Sequence, residues 1–233
     1  MNPKTQLREF ANPEIANERV IEVTEIKFPI LKTSQRMYLP LKRLIDIIGA
    51  FCALVVLLPL FLIIAVAIKL DSPGPVFFVH TRVGKNAVPF KMYKFRSMVS
   101  DAFIKEKDFH ELNDSGPFFK IKKDPRITTL GRFIRKYSID ELPQFLNVLL
   151  GGMSLVGPRP LVYREIEKLE NHGRILRLKP GLTCYWQVGG RNDSTPEKRV
   201  ALDEKYVDKF SLAVDIMLLL KTPIAILKGD GAY

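Results

Sequence analysis

From Ile47 to Ile68 the chain runs through 22 residues without a charged side chain. As a straight helix this stretch covers roughly 33 Å, about the thickness of a bilayer's hydrocarbon core. A run this apolar places the chain in a membrane, and the rest of the fold is tied to a lipid surface. Pro59 lies in the middle, where it removes a backbone hydrogen bond and favours a kink. Both flanks are basic, with Lys32, Arg36, Lys42 and Arg43 before the run and Lys69, Arg82 and Lys85 after it. A spanning helix usually carries its lysine and arginine excess on the cytoplasmic side, and here neither flank looks external. A helix that bends at Pro59 and returns to the same face therefore competes with a simple span. Because proline is tolerated in spanning helices, the residues alone favour the span.

The charge balance narrows the function. Lysine and arginine number 36 against 25 acids, a formal charge of +11. Such an excess implies an anionic partner: nucleic acid, an anionic membrane surface or a phosphorylated substrate. A hydrophobic content of 47% excludes disorder throughout. Cys52 and Cys184 make no disulfide framework and fit a reducing compartment. His80, His110 and His172 show no metal-ligand spacing with cysteine, which argues against a zinc site. Residues 1–40 read as a polar extension with no signal-peptide pattern.

After the membrane run, Asp71–Pro75 is a turn and Val76–Val79 a short strand, followed by a turn at Gly84–Asn86. Phe90–Met98 reads as an extended segment in which Lys91, Lys94 and Arg96 interleave with Phe90, Tyr93 and Phe95. Alternate residues share a face of a strand, so Lys94 and Arg96 lie with Met92. This pattern suits sugar-phosphate or nucleic-acid binding, and equally an edge strand with solvated charges. Ser100–Lys123 looks like an amphipathic helix and loop, Asp124–Ile127 a turn, and Gly131–Tyr137 a basic helix. Farther on, Leu161–Leu178 reads as a charged helix, Lys179–Gly181 as a turn and Leu182–Val188 as a strand. Gly189–Asp193 is then a loop presenting Arg191, and Pro196–Phe210 a second charged helix. The last apolar run, Leu212–Leu227, is interrupted by Asp215, Lys221 and Pro223. It fits a helix in the membrane interface, with a buried core helix as competitor.

Between these parts lies Arg135–Pro160, RKYSIDELPQFLNVLLGGMSLVGPRP. Asp140 and Glu141 are adjacent acids with Pro143 close behind, which suits a helix start. Neighbours on a helix point about 100° apart, so the two acids can reach one site from different angles. One could attack an electrophile while the other holds a metal ion. Capping is the competing explanation: Asp140 as an N-cap, or Ser138 and Glu141 as a capping box.

The ordered motifs LKRLIDIIGA, DSPGPVFF, KMYKFRSM, DPRIT, SIDELPQFLNVLLGGMSLVGPRP, KPGLT and GGRND resemble the bacterial monotopic phosphoglycosyl transferases, in their short form, from about Leu41 to the C-terminus. The resemblance implies an α+β, mostly helical fold: a monotopic membrane protein with an N-terminal re-entrant helix, short β elements and interfacial amphipathic helices. The division it implies is residues 1–40 as a cytoplasmic extension, 41–70 as the re-entrant helix and 71–233 as the catalytic domain. In that family the helix breaks at a serine–proline pair; here Leu58 precedes Pro59.

The implied chemistry is a two-step transfer. Asp140 would attack the sugar-bearing phosphorus of a UDP-sugar and release UMP. Glu141 would hold Mg²⁺, and undecaprenyl phosphate would then take the phosphosugar. Lys94, Arg96, Arg135, Arg159 and Arg191 are the cations expected to offset phosphate charge. The closing YWQVGGRND and GDGAY patterns resemble the UDP-galactose or UDP-glucose enzymes of exopolysaccharide or O-antigen synthesis, with an N-acetylated sugar as the alternative. The expected setting is the cytoplasmic face of the bacterial inner membrane, among its lipids and without nucleic acid, in an arrangement that admits a homodimer. Outside enzymology, the competing reading is a basic membrane-anchored binding or scaffold module.

Overall fold

A computed structural model of the chain describes residues 30–99, 102, 124–166, 172–189 and 195–228. Helix α1, Thr33–Asp71, contains the whole apolar run together with Pro40 and Pro59. It begins ahead of Leu41, so the polar residues before the apolar run are part of the same helix. Both of its ends dock on the rest of the protein. At the N-terminal end Gln35 donates to the carbonyls of Val207 and Asp208, and Ala50 is fully buried in the main core. At the other end Ile64 and Ile68 pack with Phe95 and Ile134 in a separate cluster. Between these contacts, residues 51–63 contain no buried side chain.

A hairpin follows. Strand β1, Phe77–Val83, pairs antiparallel with β2, Pro89–Phe95, in a register that sets Phe77 opposite Phe95 and Val83 opposite Pro89. β1 thus runs four residues beyond the short strand expected at Val76–Val79, because the aromatic-basic segment supplies a partner along its full length. The turn Lys85–Ala87 holds Asn86 and Ala87 at positive φ. Except for Ala102, the helix and loop expected over 100–123 lie outside the described residues.

The Asp124–Thr128 turn launches helix α2, Thr129–Lys136, capped by the Thr128 hydroxyl, which accepts from the Gly131 N–H at 2.9 Å. A side chain at Gly131 would sit 2.0 Å from the Ser97 carbonyl oxygen, so only glycine lets α2 lie against the end of β2. Next come a single 3₁₀ turn, Ile139–Glu141, and helix α3, Gln144–Leu150. Strand β3, Ser154–Val156, pairs in parallel with β4, Gly181–Thr183. Gly157 and Gly181 meet back to back there, with space for no Cβ on either.

Of the charged helix expected over Leu161–Leu178, the described residues are helical at α4, Tyr163–Ile166, and α5, His172–Ile175, and turn at 176–178, while 167–171 lie outside the described residues. Val83, Leu161, Ile166 and Leu176 form a local cluster. One sequence expectation is corrected in this region. The strand expected at Leu182–Val188 stops at Thr183. There β3 ends and, among the described residues, no partner continues the ladder, and Tyr185–Val188 coils into helix α6.

Helix α7, Pro196–Lys209, opens with proline in its first turn behind a Thr195 cap. Helix α8, Leu212–Lys228, packs one face on the main core through Leu218 and leaves an apolar face exposed. Leu212, Ile216, Leu220, Ile224 and Leu227 are exposed, while Asp215 and Leu218 are buried. Thr222 shares that inner side, its hydroxyl 2.7 Å from that of Thr183. The run thus buries one face in the core and exposes the other, an apolar face. The described residues are mostly helical with a few short strands, and the long apolar α1 is compatible with a monotopic membrane anchor.

Candidate active site

Ser138 takes a left-handed backbone conformation, φ 53° and ψ 23°, directly after α2. Such a conformation is uncommon for a residue with a side chain and costs on the order of 1–3 kcal/mol. It turns the chain sharply enough that Ile139 packs with the α2 cluster while Asp140 faces inward. Both capping explanations for the acids fail here. The Ser138 side chain makes no capping hydrogen bond, and the residue preceding α3 is Pro143. The two acids stand in the 3₁₀ turn ahead of α3, as a helix approach would place them.

Asp140 is buried, at 8% exposure, and its carboxyl is pushed up to about 6. Burial is the main cause, since a carboxylate loses hydration there, and the neighbouring Glu141 adds to it. Lys94 and Arg135 oppose the shift by favouring the ion. Glu141 is more open. Its Oε1 accepts from the Lys94 ammonium at 2.8 Å, with side-chain exposures of 23% for the lysine and 37% for the glutamate. A buried acid of raised affinity for protons, an accessible acid and two cations thus share one site. This is the combination expected where a carboxylate attacks a phosphorus centre and positive charge offsets the phosphate oxygens.

Of the cations expected here, the structure brings Lys94 and Arg135 to the acids. Arg96 goes elsewhere. Its guanidinium donates to the carbonyls of Pro73, Ser72 and Ile68 and to the Ser72 hydroxyl, closing the C-terminal end of α1. It therefore ties α1 to β2, the strand that carries Lys94. Arg159 stacks over the Trp186 indole at 5.2 Å, with its backbone N–H on Asp203. Arg191 lies outside the described residues.

Several polar residues that the sequence reading passed over support the site. Arg43 of α1 donates from its two terminal nitrogens to the carbonyls of Val148 (2.6 Å) and Leu149 (2.9 Å), capping α3. Asn147 of α3 contacts the backbone of β2 on both sides of Met92. Asp46 accepts from the Leu155 N–H and the Ser154 hydroxyl. Lys42 meets Asp215 at 2.5 Å, and the same carboxylate accepts from the hydroxyls of Tyr38 and Tyr206. One signal for the last group was legible: a lone Asp in one apolar run and a Lys beside another call for a mutual partner.

Among the described residues no three His, Cys, Asp or Glu side chains gather to hold a metal ion. A cation bound here would rely on the two adjacent carboxylates and on phosphate oxygens of a substrate. That donor chemistry fits Mg²⁺, which commonly takes one or two carboxylates plus substrate phosphates.

The bacterial sugar transferase family model matches residues 37–229. The chain is 42% identical over 222 residues to the undecaprenyl-phosphate galactose phosphotransferase of Salmonella typhimurium, covering 91% of this chain and 45% of that protein. It is 40% identical over 198 residues to the exopolysaccharide production protein ExoY of Sinorhizobium fredii, covering 82% and 88%. Against the UDP-glucose:undecaprenyl-phosphate glucose-1-phosphate transferase of Escherichia coli the identity is 40% over 202 residues, 83% of this chain and 41% of that one. The chain thus spans about half the length of the galactose and glucose phosphotransferases and most of the length of the exopolysaccharide protein.

Proposed function

We propose that this chain, which belongs to the bacterial sugar transferase family, moves a sugar-1-phosphate from a UDP-sugar to undecaprenyl phosphate by way of a phosphosugar held on Asp140. The observation that carries this reading is the buried Asp140 beside the half-open Lys94–Glu141 pair. In the first step a carboxylate oxygen of Asp140 bonds to the sugar-bearing phosphorus. The bond from that phosphorus to the bridging oxygen breaks, and UMP leaves with the oxygen. In the second step an oxygen of undecaprenyl phosphate bonds to the same phosphorus, and the bond to Asp140 breaks, restoring the carboxylate. Burial strips water from the nucleophile, while Lys94 and Arg135 keep its ionised form accessible near neutral pH. Glu141, with Asp140 beside it, would hold Mg²⁺, which when bound offsets charge on the pyrophosphate.

The membrane arrangement that fits this chemistry is re-entrant, with both ends of α1 and the site on the cytoplasmic side of the inner membrane. Two observations support it. Both ends of α1 dock on the same body, and the stretch without buried residues, 51–63, measures about 20 Å as helix against about 30 Å of hydrocarbon. The outward apolar face of α8 would lie in the same leaflet. UDP-galactose or UDP-glucose are the donors that the names of the relatives favour, in an early step of exopolysaccharide or O-antigen assembly.

The test uses the purified full chain with Mg²⁺ and a panel of UDP-sugars, without lipid acceptor. UMP should appear in an amount stoichiometric with enzyme, with a phosphosugar adduct on the peptide containing Asp140. Full transfer by both Asp140→Asn and Glu141→Gln would overturn the reading. Labelling of an introduced N-terminal cysteine from the periplasmic side would overturn the re-entrant arrangement.

A further inference from the structure

Lys94 is not held at Glu141 by its own flexible side chain alone. Four methylenes separate the ammonium from the backbone, and strand β2 could slide along α3 without breaking its ladder to β1. A slide of one residue's length would carry Lys94 roughly 3.3 Å along α3 and away from Glu141. Something has to fix β2 in register against the segment that carries the acids.

We infer that Asn147 is the positioning residue that does so, acting on the site through Lys94; the catalytic consequence rests on the function proposed above. Asn147 is buried, at 3% exposure, in the middle of α3. Its Oδ1 accepts from the Tyr93 N–H at 2.9 Å, and its Nδ2 donates to the Lys91 carbonyl at 2.6 Å. A strand presents the C=O of one residue and the N–H of the next but one along the same edge. The carboxamide of Asn147 answers both, as the backbone of a neighbouring strand would. An amide is the side-chain group that pairs a donor and an acceptor at this spacing. A carboxylate would face the Lys91 carbonyl with like charge, and a leucine would leave both backbone groups unpaired.

The placement links the clamp to the site. Lys94 directly follows Tyr93, and Glu141 stands six residues before Asn147 in the same short run of chain. The two segments therefore touch at two points: the carboxamide on the backbone of β2, and the Lys94 ammonium on Glu141 Oε1 at 2.8 Å. Fixing the first point fixes the reach of the second. α3 is itself held at its far end by Arg43, and β2 at its far end by Arg96 on the end of α1. Asn147 is the cross-tie between two anchored elements.

The experiment reads Lys94 directly and does not require turnover. The full chain in nanodiscs is pulsed with acetic anhydride, and acetylation of Lys94 is followed by mass spectrometry relative to exposed Lys198 on α7. Lys94 should be protected in the native protein and acetylated about tenfold faster in Glu141→Gln. Asn147→Leu and Asn147→Asp should accelerate it by a similar factor while Lys198 stays at its native rate. A native Lys94 rate in Asn147→Leu would overturn the clamp, whatever happens to turnover. So would acceleration of all lysines alike, which would report loss of fold. In parallel, Asn147→Leu should lower kcat for UMP release about tenfold in the native background and less than twofold in Lys94→Met. Equal losses in both backgrounds would also overturn the clamp. If instead Asp140→Asn kept full turnover while Lys94 lost protection in Asn147→Leu, the proposed function would fall and the clamp would stand.

Discussion

Two lysine–carboxylate pairs in this protein are chemically alike and differ in every physical respect that bears on function. Lys42 and Asp215 meet at 2.5 Å with side-chain exposures of 9% and 6%, and the acid also accepts from the Tyr38 and Tyr206 hydroxyls. Lys94 and Glu141 meet at 2.8 Å but are 23% and 37% exposed, beside a second acid that is buried. The first pair joins α1 to α8 and is sealed. The second leaves a charged surface within reach of a ligand. A buried ion pair shut away from solvent can only hold elements together, whereas an incompletely covered one next to a strained turn can exchange a partner for a phosphate.

Substitutions should separate the two. The largest effect belongs to the open site: Asp140→Asn should lower UMP release by at least about 10³-fold, since no other group supplies the covalent step. Thermal unfolding in detergent should show that protein intact. At the sealed pair the effect moves to stability. Asp215→Ala should cost about 3–5 kcal/mol because Lys42 is left buried and unpaired. The double replacement Lys42→Met with Asp215→Leu should recover most of this, with kcat per folded molecule close to native. Loss of turnover without loss of stability in Asp215→Ala would show that the sealed pair serves the chemistry.

The pH response follows from Asp140, whose carboxyl lies at about 6 against an ordinary 3.8. A raised folded value means that the folded state holds the proton more tightly. The associated stability is fully present below about pH 3.8 and is lost as pH rises through about 6. Without Mg²⁺, Asp140→Asn should therefore gain on the native protein by up to ~3 kcal/mol between pH 4 and 7. Denaturant melts at several pH values would measure this gain, and parallel curves would contradict the burial argument. The kinetic sign is opposite: kcat/KM for UMP release should fall as pH drops through about 6, because attack needs the ion. The smallest effect belongs to a third pair, Arg174 with Asp208, at 41% and 52% exposure. Arg174→Ala should change stability by less than about 1 kcal/mol.

How much of this could be read from the residues depends on the range over which each feature is decided. Asp140 and Glu141 were legible because they are adjacent, and Pro143 marks the approach to a helix. Lys94 was legible from the alternation of charge with aromatics, but so was Arg96, and nothing local distinguishes them. Their fates diverge because β2 passes the end of α1 two residues after it passes Glu141. Asn147 was invisible as a functional residue, since a single amide in an amphipathic helix says nothing about the strand edge it will meet. The strand expected at Leu182–Val188 failed for a related reason: its β-forming residues were real, but the partner strand β3 is only three residues long.

The sequence by itself determined that one run is long and apolar enough to cross a membrane, that the chain is basic, and that two neighbouring acids sit at a helix approach. Each of these depends on composition or on spacing within a few residues. The tertiary structure alone decided which cations serve the acids, which one closes the end of α1, and which lysine–carboxylate pair is sealed. Those outcomes depend on contacts such as Arg96 on Pro73, Lys94 on Glu141 and Lys42 on Asp215, 23, 47 and 173 positions apart, and desolvation, which sets the proton affinity of Asp140, exists only once distant segments close over it.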